Sequence, residues 1–501
     1  MELWKSIPFA LILLPLALAA LTSILKDKQA QRLSVFVLGL LTALAAVFTV
    51  LMIRYDGSYT YRMGHYSAPW GNEIRAGVTE AVTALCFLAV MLFSFLGGLH
   101  KQRADIRTGK QNLYCVLIML MTSALMAEVF TNDMFTAYVF IEIMTISAAA
   151  LIASRTKGHT LVASVRYMIL NMVGSGLFLL GIVMLYDISG HLLMENIRKT
   201  LSETAAAPGY DDTLLTLVIA LITVGLCIKS ALFPFHTWVA DAYSYSTPTS
   251  SAVLSSLVSK AYIFLLIKTY ARVIGFDLIA STGVGDLLFI CGVVGMIMGS
   301  VLAIRQTEIR RMIALSSVAQ IGYIYMGIGL GSEAGLTAAL FHVFAHAVCK
   351  SMLFISSSDL IERSNDSKAF HMLRGAGYRS PLTGIAFTVG SLSMIGIPFL
   401  GGFASKLNFA VAALETGTGA RMIAAFAALT VSTFLNTMYF LRTVITLYRR
   451  PHDDVIYETG NAAIAGRYGL SLVMFVLLTV AMGIFSYYIV RIISAGWAFF
   501  A

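Results

Sequence analysis

The chain has 501 residues, of which 58% are hydrophobic and only 12% are charged, and its mean hydropathy is +0.81. These values exclude a soluble globular protein and are typical of an integral membrane protein. The net charge of +9 does not indicate nucleic-acid binding, because the Lys and Arg residues form short clusters between apolar runs and no continuous basic surface.

Apolar runs that are long enough to cross a bilayer recur along nearly the whole chain. They are uninterrupted, which favours helices over the alternating segments of about 10 residues that form a β-barrel. The length criterion of roughly 20 residues per span predicts about 14 helices. Their centres lie near residues 16, 43, 87, 121, 143, 175, 224, 260, 293, 321, 345, 395, 433 and 480. We therefore predict an all-α integral membrane protein.

The distribution of basic residues predicts the orientation of these helices. With the N-terminus outside, the cytoplasmic connectors hold about 19 Lys and Arg residues and the other connectors roughly 8, as the positive-inside rule requires. We expect a multi-pass protein of a prokaryotic inner membrane with both termini outside. The longest polar insertion, about Asp187 to Asp212, then lies outside as a loop with a surface helix.

The cysteines give no sign of a redox centre. They stand singly within apolar runs and lack the paired spacing of zinc sites or iron–sulfur clusters. We expect no cofactor and no metal in this chain. The five positions are Cys86, Cys115, Cys227, Cys291 and Cys349.

Four charged residues lie deep within apolar runs, where a charge costs several kcal/mol. They are Glu142, Lys229, Lys260 and Lys406. A structural salt bridge, or a lysine that reaches the membrane interface, would explain any one of them. Because four charged residues lie on four different helices, we favour a shared function over four separate structural roles.

Lysine suits proton transfer at this depth, because desolvation favours the neutral amine and an acidic neighbour favours the ammonium ion. Glu142 is interpreted as the only carboxylate in the middle of an apolar run before Lys229. We therefore predict that Glu142 pairs with Lys229. Lys260, one helix later, is predicted to receive the proton when the pair tightens.

Two of the lysines stand beside prolines that interrupt a span. Pro234 follows Lys229, and Pro398 precedes Lys406. Proline breaks a helix and frees backbone carbonyl groups, and transporters build ion sites at such breaks. Two broken spans five helices apart predict an internal five-helix repeat. Prolines that are merely tolerated in membrane helices are the alternative.

A polar stripe runs along the helix that contains "FHVFAHAVCKSMLFISSSD". His342, His346 and Lys350 are spaced four residues apart and share one helix face. The two histidines lack the further carboxylate or thiolate of a zinc site. A proton relay is favoured because imidazole titrates near neutral pH. The alternative is a packed histidine pair bonded to carbonyl groups. Lys350 either belongs to the relay or lies near its cytoplasmic mouth.

Six motifs resemble, in order, those of the antiporter-like membrane subunits shared by respiratory complex I, Mrp-type cation/proton antiporters and membrane-bound hydrogenases. They cover about Asn132 to Asn408 and read "NDMFTAYVFIEIM", "RYMILNMVGSGLFLLGIVMLY", "KSALFPFHTWVADAY", "EIRRMIALSSVAQIGYIYMGIG", "ALFHVFAHAVCKSMLF" and "GIPFLGGFASK". The resemblance implies two inverted five-helix repeats with broken helices 7 and 12. The expected units are 1–110 (spans 1–3), 111–272 (spans 4–8), 273–447 (spans 9–13) and 448–501 (span 14).

The resemblance also assigns roles to the residues already singled out. The family's glutamate of span 5 falls on Glu142, and its basic residues of spans 7, 8 and 12 fall on Lys229, Lys260 and Lys406. The histidine positions of span 11 fall on His342 and His346. In the family these residues are thought to form a hydrated polar axis along the midplane of the membrane.

Two positions depart from the family pattern. Ala240 replaces the proline that commonly follows the break in span 7, so a less rigid loop is expected. Arg166 stands where lysine is frequent, and an arginine there is not expected to carry protons. The chain resembles the shorter members, such as the Mrp D-type or hydrogenase-type subunits.

The expected function is proton or cation translocation within a multisubunit complex, without redox chemistry in this chain. Redox-driven pumps of the complex I type, membrane-bound hydrogenases and Mrp-type Na⁺/H⁺ antiporters all stay open. The expected partners are other membrane subunits, with iron–sulfur or hydrogenase-like soluble subunits in the redox-driven cases, and the transported ion is H⁺ or Na⁺. A noncatalytic scaffold with the same fold and a standalone solute transporter are the alternatives.

Overall fold

The computed structural model describes residues 3–63, 66, 71–156, 158–206, 212–417, 419–451 and 466–500. In these ranges, thirteen helices are long and apolar enough to cross a membrane by length and composition. A further span, the twelfth, consists of two shorter half-helices. The predicted all-α membrane fold is therefore confirmed, and the described chain has the fourteen predicted spans when the interrupted one is counted.

We number the spans in chain order. Spans 1–7 are Trp4–Ile24, Asp27–Tyr55, Val78–Asp105, Gln111–Phe130, Met134–Ala153, Thr160–Ser189 and Thr213–Ser230. Spans 8–11 are Pro248–Ile274, Val284–Ile304, Ile309–Gly329 and Glu333–Glu362. Span 12 is formed by Pro381–Ile395 and Gly401–Glu415, and spans 13 and 14 are Ala420–Tyr448 and Gly466–Ile484.

Spans 8, 10 and 11 form the centre of the protein, and their most apolar segments are completely buried. Glycines let spans 9 and 10 approach closely, since a Cβ atom on Gly292 would lie 2.4 Å from the backbone nitrogen of Met326. Small residues at helix contacts are typical of membrane proteins. Span 8 contains two π-helical segments, Leu254–Val258 and Tyr270–Ile274, which the sequence did not predict.

Both predicted helix breaks are present. Span 7 ends at Ser230, and after Pro234 the chain resumes as a short helix at Val239–Tyr245. Span 12 is interrupted at Gly396, which adopts φ 98°. A side chain at Gly396 would be strained by this angle and would also lie 3.0 Å from the Lys406 side chain. The inverted relation between the two halves stays a prediction.

A small β-hairpin is the exception to the helical fold. Its strands, Tyr59–Arg62 and Glu73–Ala76, pair antiparallel with Tyr59 opposite Ala76. The Asn132 N–H after span 4 donates to the Glu73 carbonyl of this hairpin. The predicted surface helix, Met194–Ala205, lies on the same side, because the Met194 N–H donates to the Asn132 carbonyl. We call this side the hairpin face.

The remaining helices are short and lie between or after the spans. Phe276–Ser281 precedes span 9, and Phe370–Leu373 and Ala376–Arg379 precede span 12. The helix Ser486–Phe500 follows span 14. Its Trp497 donates to the Thr337 hydroxyl at 2.8 Å, which attaches this helix to span 11.

Candidate functional site

The structure brings Glu142 and Lys229 together, as the sequence predicted. Lys229 lies in the last turn of span 7, just before the break, and its Nζ is 3.6 Å from Glu142 Oε1. The same ammonium group donates to Thr145 Oγ1 at 2.8 Å and lies 5.3 Å from the centre of the Tyr262 ring. Lys229 therefore has one charged partner and two neutral ones.

The two members of this pair differ in burial. The Lys229 side chain is completely buried, whereas that of Glu142 is 26% exposed. Glu142 also accepts a hydrogen bond from the Ser175 hydroxyl of span 6. The carboxylate thus stands at the lateral surface of the protein, and the lysine stands behind it.

Lys260 is completely buried in span 8. Its Nζ donates to the Ser255 carbonyl at 2.5 Å and to Ser259 Oγ at 3.0 Å. Ser255 belongs to the first π-helical segment, where the wide turn leaves carbonyl groups accessible to side chains. A hydrogen bond of 3.2 Å between Thr145 Oγ1 and Tyr262 OH links the surroundings of Lys229 to span 8.

The polar stripe of span 11 is buried along its whole length. The rings of His342 and His346 lie 5.8 Å apart, and His342 Nδ1 is 2.7 Å from Ser405 Oγ of span 12. Neither ring nitrogen of His346 has a hydrogen-bond partner among the described residues. The carbonyl-bonded pair that was the alternative is therefore not the arrangement found there.

Lys350 lies within span 11 and is completely buried. Its Nζ donates to the Ile313 carbonyl at 3.0 Å and to Ser316 Oγ at 2.5 Å, both on span 10. No cluster of three or more His, Cys, Asp or Glu side chains suited to a metal ion occurs within the described ranges.

Lys406 occupies the second half of span 12. Its Nζ donates to the Ile395 carbonyl, at the end of the first half-helix, at 2.6 Å and to Thr433 Oγ1 of span 13 at 3.0 Å. Tyr323 connects this lysine to the stripe, because its ring lies 5.6 Å from Lys406 Nζ and stacks on His342 at 5.6 Å. The seven predicted site residues thus lie on spans 5, 7, 8, 11 and 12.

Two carboxylates that the sequence interpretation did not single out are also buried. Glu80 and Glu128 are completely buried near the ends of spans 3 and 4, whereas Glu142 lies in the middle of span 5. Lys268 and Arg272 of span 8 are also buried and were missed. Lys268 could have been found from its spacing, since it follows Lys260 by two helical turns on the same face.

The loop after the break in span 7 is fixed on the side opposite the hairpin face. Asp241 accepts hydrogen bonds from Arg166 and Arg311, each at 2.6 Å. Lys368 donates to the Ser244 carbonyl at 2.9 Å. Burial and the nearby guanidinium groups of Arg310 and Arg155 lower the pKa of Lys368 to about 7. Arg166 thus anchors a loop and stands outside the line of buried lysines.

Known proteins share both sequence and fold with this chain. Residues 131–436 match the transmembrane family described as NADH:quinone oxidoreductase/Mrp antiporter. The NADH-quinone oxidoreductase subunit N of Desulforudis audaxviator is 31% identical over 453 residues, which cover 88% of this chain and 86% of that protein. A chain of the Mrp complex from Dietzia sp. DQ12-45-1b superposes with a TM-score of 0.87 at 22% identity, covering 99% of this chain and 97% of that one. A chain of the archaeal membrane-bound sulfane sulfur reductase superposes with a TM-score of 0.86 at 24% identity, with 99% and 98% covered. The chain therefore belongs to the NADH:quinone oxidoreductase/Mrp antiporter transmembrane family.

Proposed function

We propose that this protein is a proton-translocating, or more broadly cation-translocating, subunit of a multisubunit membrane complex. The observation that carries the proposal is the line of buried titratable side chains across spans 5, 7, 8, 11 and 12. In order, protons move along Glu142, Lys229, Lys260, the stripe of His342, His346 and Lys350, and finally Lys406. We call this line the axis.

The surroundings of the axis allow each group to change its charge. Lys260, Lys350 and Lys406 are held by carbonyl and hydroxyl groups, which accept from an ammonium ion and also from a neutral amine. A lysine without a carboxylate partner can therefore lose its proton without leaving a counter-charge unpaired. Lys229 differs, because loosening its contact with Glu142 would release the proton towards span 8.

The middle of the axis is electrostatically coupled. His346 interacts with Lys260, Lys350 and His342, and His342 interacts in turn with Lys406. Like charges repel each other more in a medium of low dielectric constant than in water. A proton that arrives on one group therefore favours the departure of a proton from the next.

The two ends of the axis support the proposal of partner subunits. Glu142 and Lys406 are partly exposed on the lateral surface, whereas the residues between them are buried. Apolar side chains surround both ends, including Val139, Ile146 and Leu407. A neighbouring membrane subunit placed at either end would cover the charge and continue the polar region. The relatives named above come from assemblies of this kind.

Three assemblies stay open for this chain: a redox-driven pump of the complex I type, a membrane-bound hydrogenase or related complex, and an Mrp-type antiporter. In the redox-driven cases, electron transfer takes place in iron–sulfur or hydrogenase-like partners, and this chain holds no cofactor. We place the protein in a prokaryotic inner membrane with the hairpin face and both termini outside, from the distribution of Lys and Arg.

The proposal is tested by measuring proton and sodium flux in inverted vesicles that carry the assembled complex. An imposed sodium gradient is applied first, and a reductant second, to the wild type and to Lys229→Ala. Flux under the sodium gradient alone that is lost in the variant indicates an antiporter. Flux that needs electron transfer and is lost in the variant indicates a redox pump. Normal flux in an assembled Lys229→Ala complex would overturn the axis and favour the scaffold alternative.

A further inference from the structure

A second group of buried charges lies between Lys229 and the hairpin face, and the axis does not use it. Its members are Glu80, Glu128, Lys268 and Arg272, and each is at most 1% exposed. They come from spans 3, 4 and 8, near the ends of those spans that meet the hairpin face. We call this group the branch.

Two members of the branch form an ion pair with each other. Arg272 donates to Glu80, and its Nε also donates to the Phe500 carbonyl at 2.5 Å. Glu80 Oε2 accepts from the Gly77 N–H at 3.0 Å, at the start of span 3. Each charge is thus neutralised by the other and by backbone groups. This pair holds the helix Ser486–Phe500 against spans 3 and 8.

Lys268 is also fixed. Its Nζ donates to the carbonyl groups of Glu128, Val129 and Thr131 at 2.9, 2.5 and 3.1 Å. These groups end span 4 and would otherwise lack partners. An ammonium group has three N–H donors, and the three carbonyls occupy all of them. Lys268 is therefore held in place, and as an ammonium ion it has no donor left for the Glu128 carboxylate.

Glu128 is the member of the branch that remains free to exchange a proton. Its side chain is completely buried, and neither carboxylate oxygen has a hydrogen-bond partner in the described part of the chain. The group interacts electrostatically with both Lys268 and Lys229. A permanently ionised carboxylate without hydrogen bonds is unfavourable in such surroundings, whereas one that alternates between two protonation states has a reason to be there.

A polar stretch continues from Glu128 to the hairpin face. Asn132, four residues further on, is completely buried, and both polar atoms of its side chain lack partners within the described residues. Its backbone N–H bonds to Glu73 of the hairpin. Buried polar side chains of this kind mark a path along which protons can pass.

We propose that Glu128 is a proton-loading site that connects Lys229 with the hairpin face. This inference rests on the proposed function of the axis. Lys229 and Glu128 form no ion pair in the structure, so the lysine side chain first turns from Glu142 towards Glu128. Its ammonium group then gives its proton to a carboxylate oxygen of Glu128, which leaves a neutral amine and a neutral carboxylic acid. The acid then releases the proton towards the hairpin face and becomes a carboxylate again. When Lys268 carries its proton, its positive charge stabilises that carboxylate and so promotes the release.

The first test compares flux in vesicles that carry the assembled complex. Glu128→Gln keeps the shape of the side chain but cannot exchange a proton, and we expect flux to fall at least about tenfold. Glu128→Asp restores the carboxyl group and is expected to recover a large part of the flux. Asp286→Asn is the matched control, because this carboxylate at the start of span 9 is exposed and pairs with Arg421. Normal flux in Glu128→Gln, together with no flux in Lys229→Ala, would overturn the role proposed for Glu128 and leave the axis intact. Normal flux in Lys229→Ala would overturn the axis itself.

The second test uses the wild-type complex and does not depend on how the variants fold. Dicyclohexylcarbodiimide reacts with protonated carboxyl groups in apolar surroundings, and mass spectrometry of the peptide containing Glu128 measures the extent of reaction. With the pH set separately on the two sides of sealed vesicles, labelling of Glu128 is expected to increase as the pH at the hairpin face is lowered. Labelling that ignores this pH, or that follows only the pH of the opposite side, would contradict the proposal.

Discussion

Each half of the protein places a lysine beside a broken helix, but the two lysines are held in different ways. Lys229 precedes the break in span 7 and has a carboxylate, Glu142, at 3.6 Å. Lys406 follows the break in span 12 and is held by the Ile395 carbonyl and the Thr433 hydroxyl. The first lysine therefore has a partner with a full negative charge, and the second has only neutral acceptors.

This difference indicates two ways of stabilising a buried ammonium group. At Lys229 the stabilisation depends on the distance to Glu142, which stands at the lateral surface where a neighbouring subunit could move it. At Lys406 it depends on the partial negative charge at the end of a half-helix, which is fixed by the fold. We infer that the first site responds to partners and that the second follows the protonation of span 11.

The largest expected effect comes from replacing each lysine by arginine. Lys229→Arg and Lys406→Arg keep a positive charge, but a guanidinium group does not give up its proton at physiological pH. Both variants should lose flux at least about tenfold, equivalent to ~1.4 kcal/mol on the barrier. Lys101→Arg, at an ion pair with Glu362 away from the axis, is the control. Normal flux in either variant would show that the lysine at that site acts as a permanent charge and does not carry protons.

A second experiment makes the two sites alike. Thr433→Asp introduces a carboxylate beside Lys406, which should hold the lysine in its charged form and slow transport by about tenfold. Thr437→Asp is the matched control, one turn along span 13, where the hydroxyl bonds only to the Thr433 carbonyl. Vesicle flux is measured for both. Equal slowing in the two variants would show that any buried carboxylate on span 13 is harmful and that the neutral surroundings of Lys406 are not the reason.

A smaller effect is expected at the stripe that joins the two sites. His346→Ala should slow proton uptake or release several-fold while the subunit still assembles, because Lys350 and His342 remain. Transient proton kinetics and native gel electrophoresis measure the two properties separately. His371→Ala, at an exposed position of the short helix Phe370–Leu373, is the control. Loss of the complex together with normal specific activity would instead support a packing role for His346.

The smallest effect is expected at the loop that follows the first break. Arg166→Ala removes one of the two guanidinium partners of Asp241, and Arg311 keeps the other contact. The Arg166 side chain is 62% exposed, and such pairs contribute at most about 1 kcal/mol. Flux and thermal stability should stay near wild type, whereas Asp241→Asn should lower both. A large loss of flux in Arg166→Ala would give this position a role in transport.

Much of the fold and part of the site could be predicted because the membrane restricts both. The length of an apolar run predicts a span directly. The prolines beside Lys229 and Lys406 predicted the interruptions in spans 7 and 12, whereas Pro15 lies within the continuous helix of span 1. The closeness of Glu142 and Lys229 was predicted because a charge inside an apolar run needs a partner. The β-hairpin and the π-helical segments of span 8 were missed, since short strands and wide turns have weak signals in a single sequence.

The burial of Glu128 shows what could not be predicted from the sequence. Glu128 stands near the end of an apolar run, and from the sequence such a residue is taken to lie at the membrane surface. In the structure, the hairpin and the surface helix contact the end of span 4, and Glu128 is completely buried there. Whether a charged side chain near the end of a span is exposed to water or buried depends on elements that are distant in the sequence.

The sequence by itself determined that this protein lies in a membrane, and it determined the number of spans, the two helix breaks and the lysines deep within the spans. Each of these is a local property of the chain. The tertiary structure alone decided which charges meet. It placed Glu142 at the lateral surface, joined Lys406 to the stripe through Tyr323, and buried Glu128 without a hydrogen-bond partner among the described residues. The reason is that burial and electrostatic pairing depend on distances in space, and packing of remote helices sets those distances.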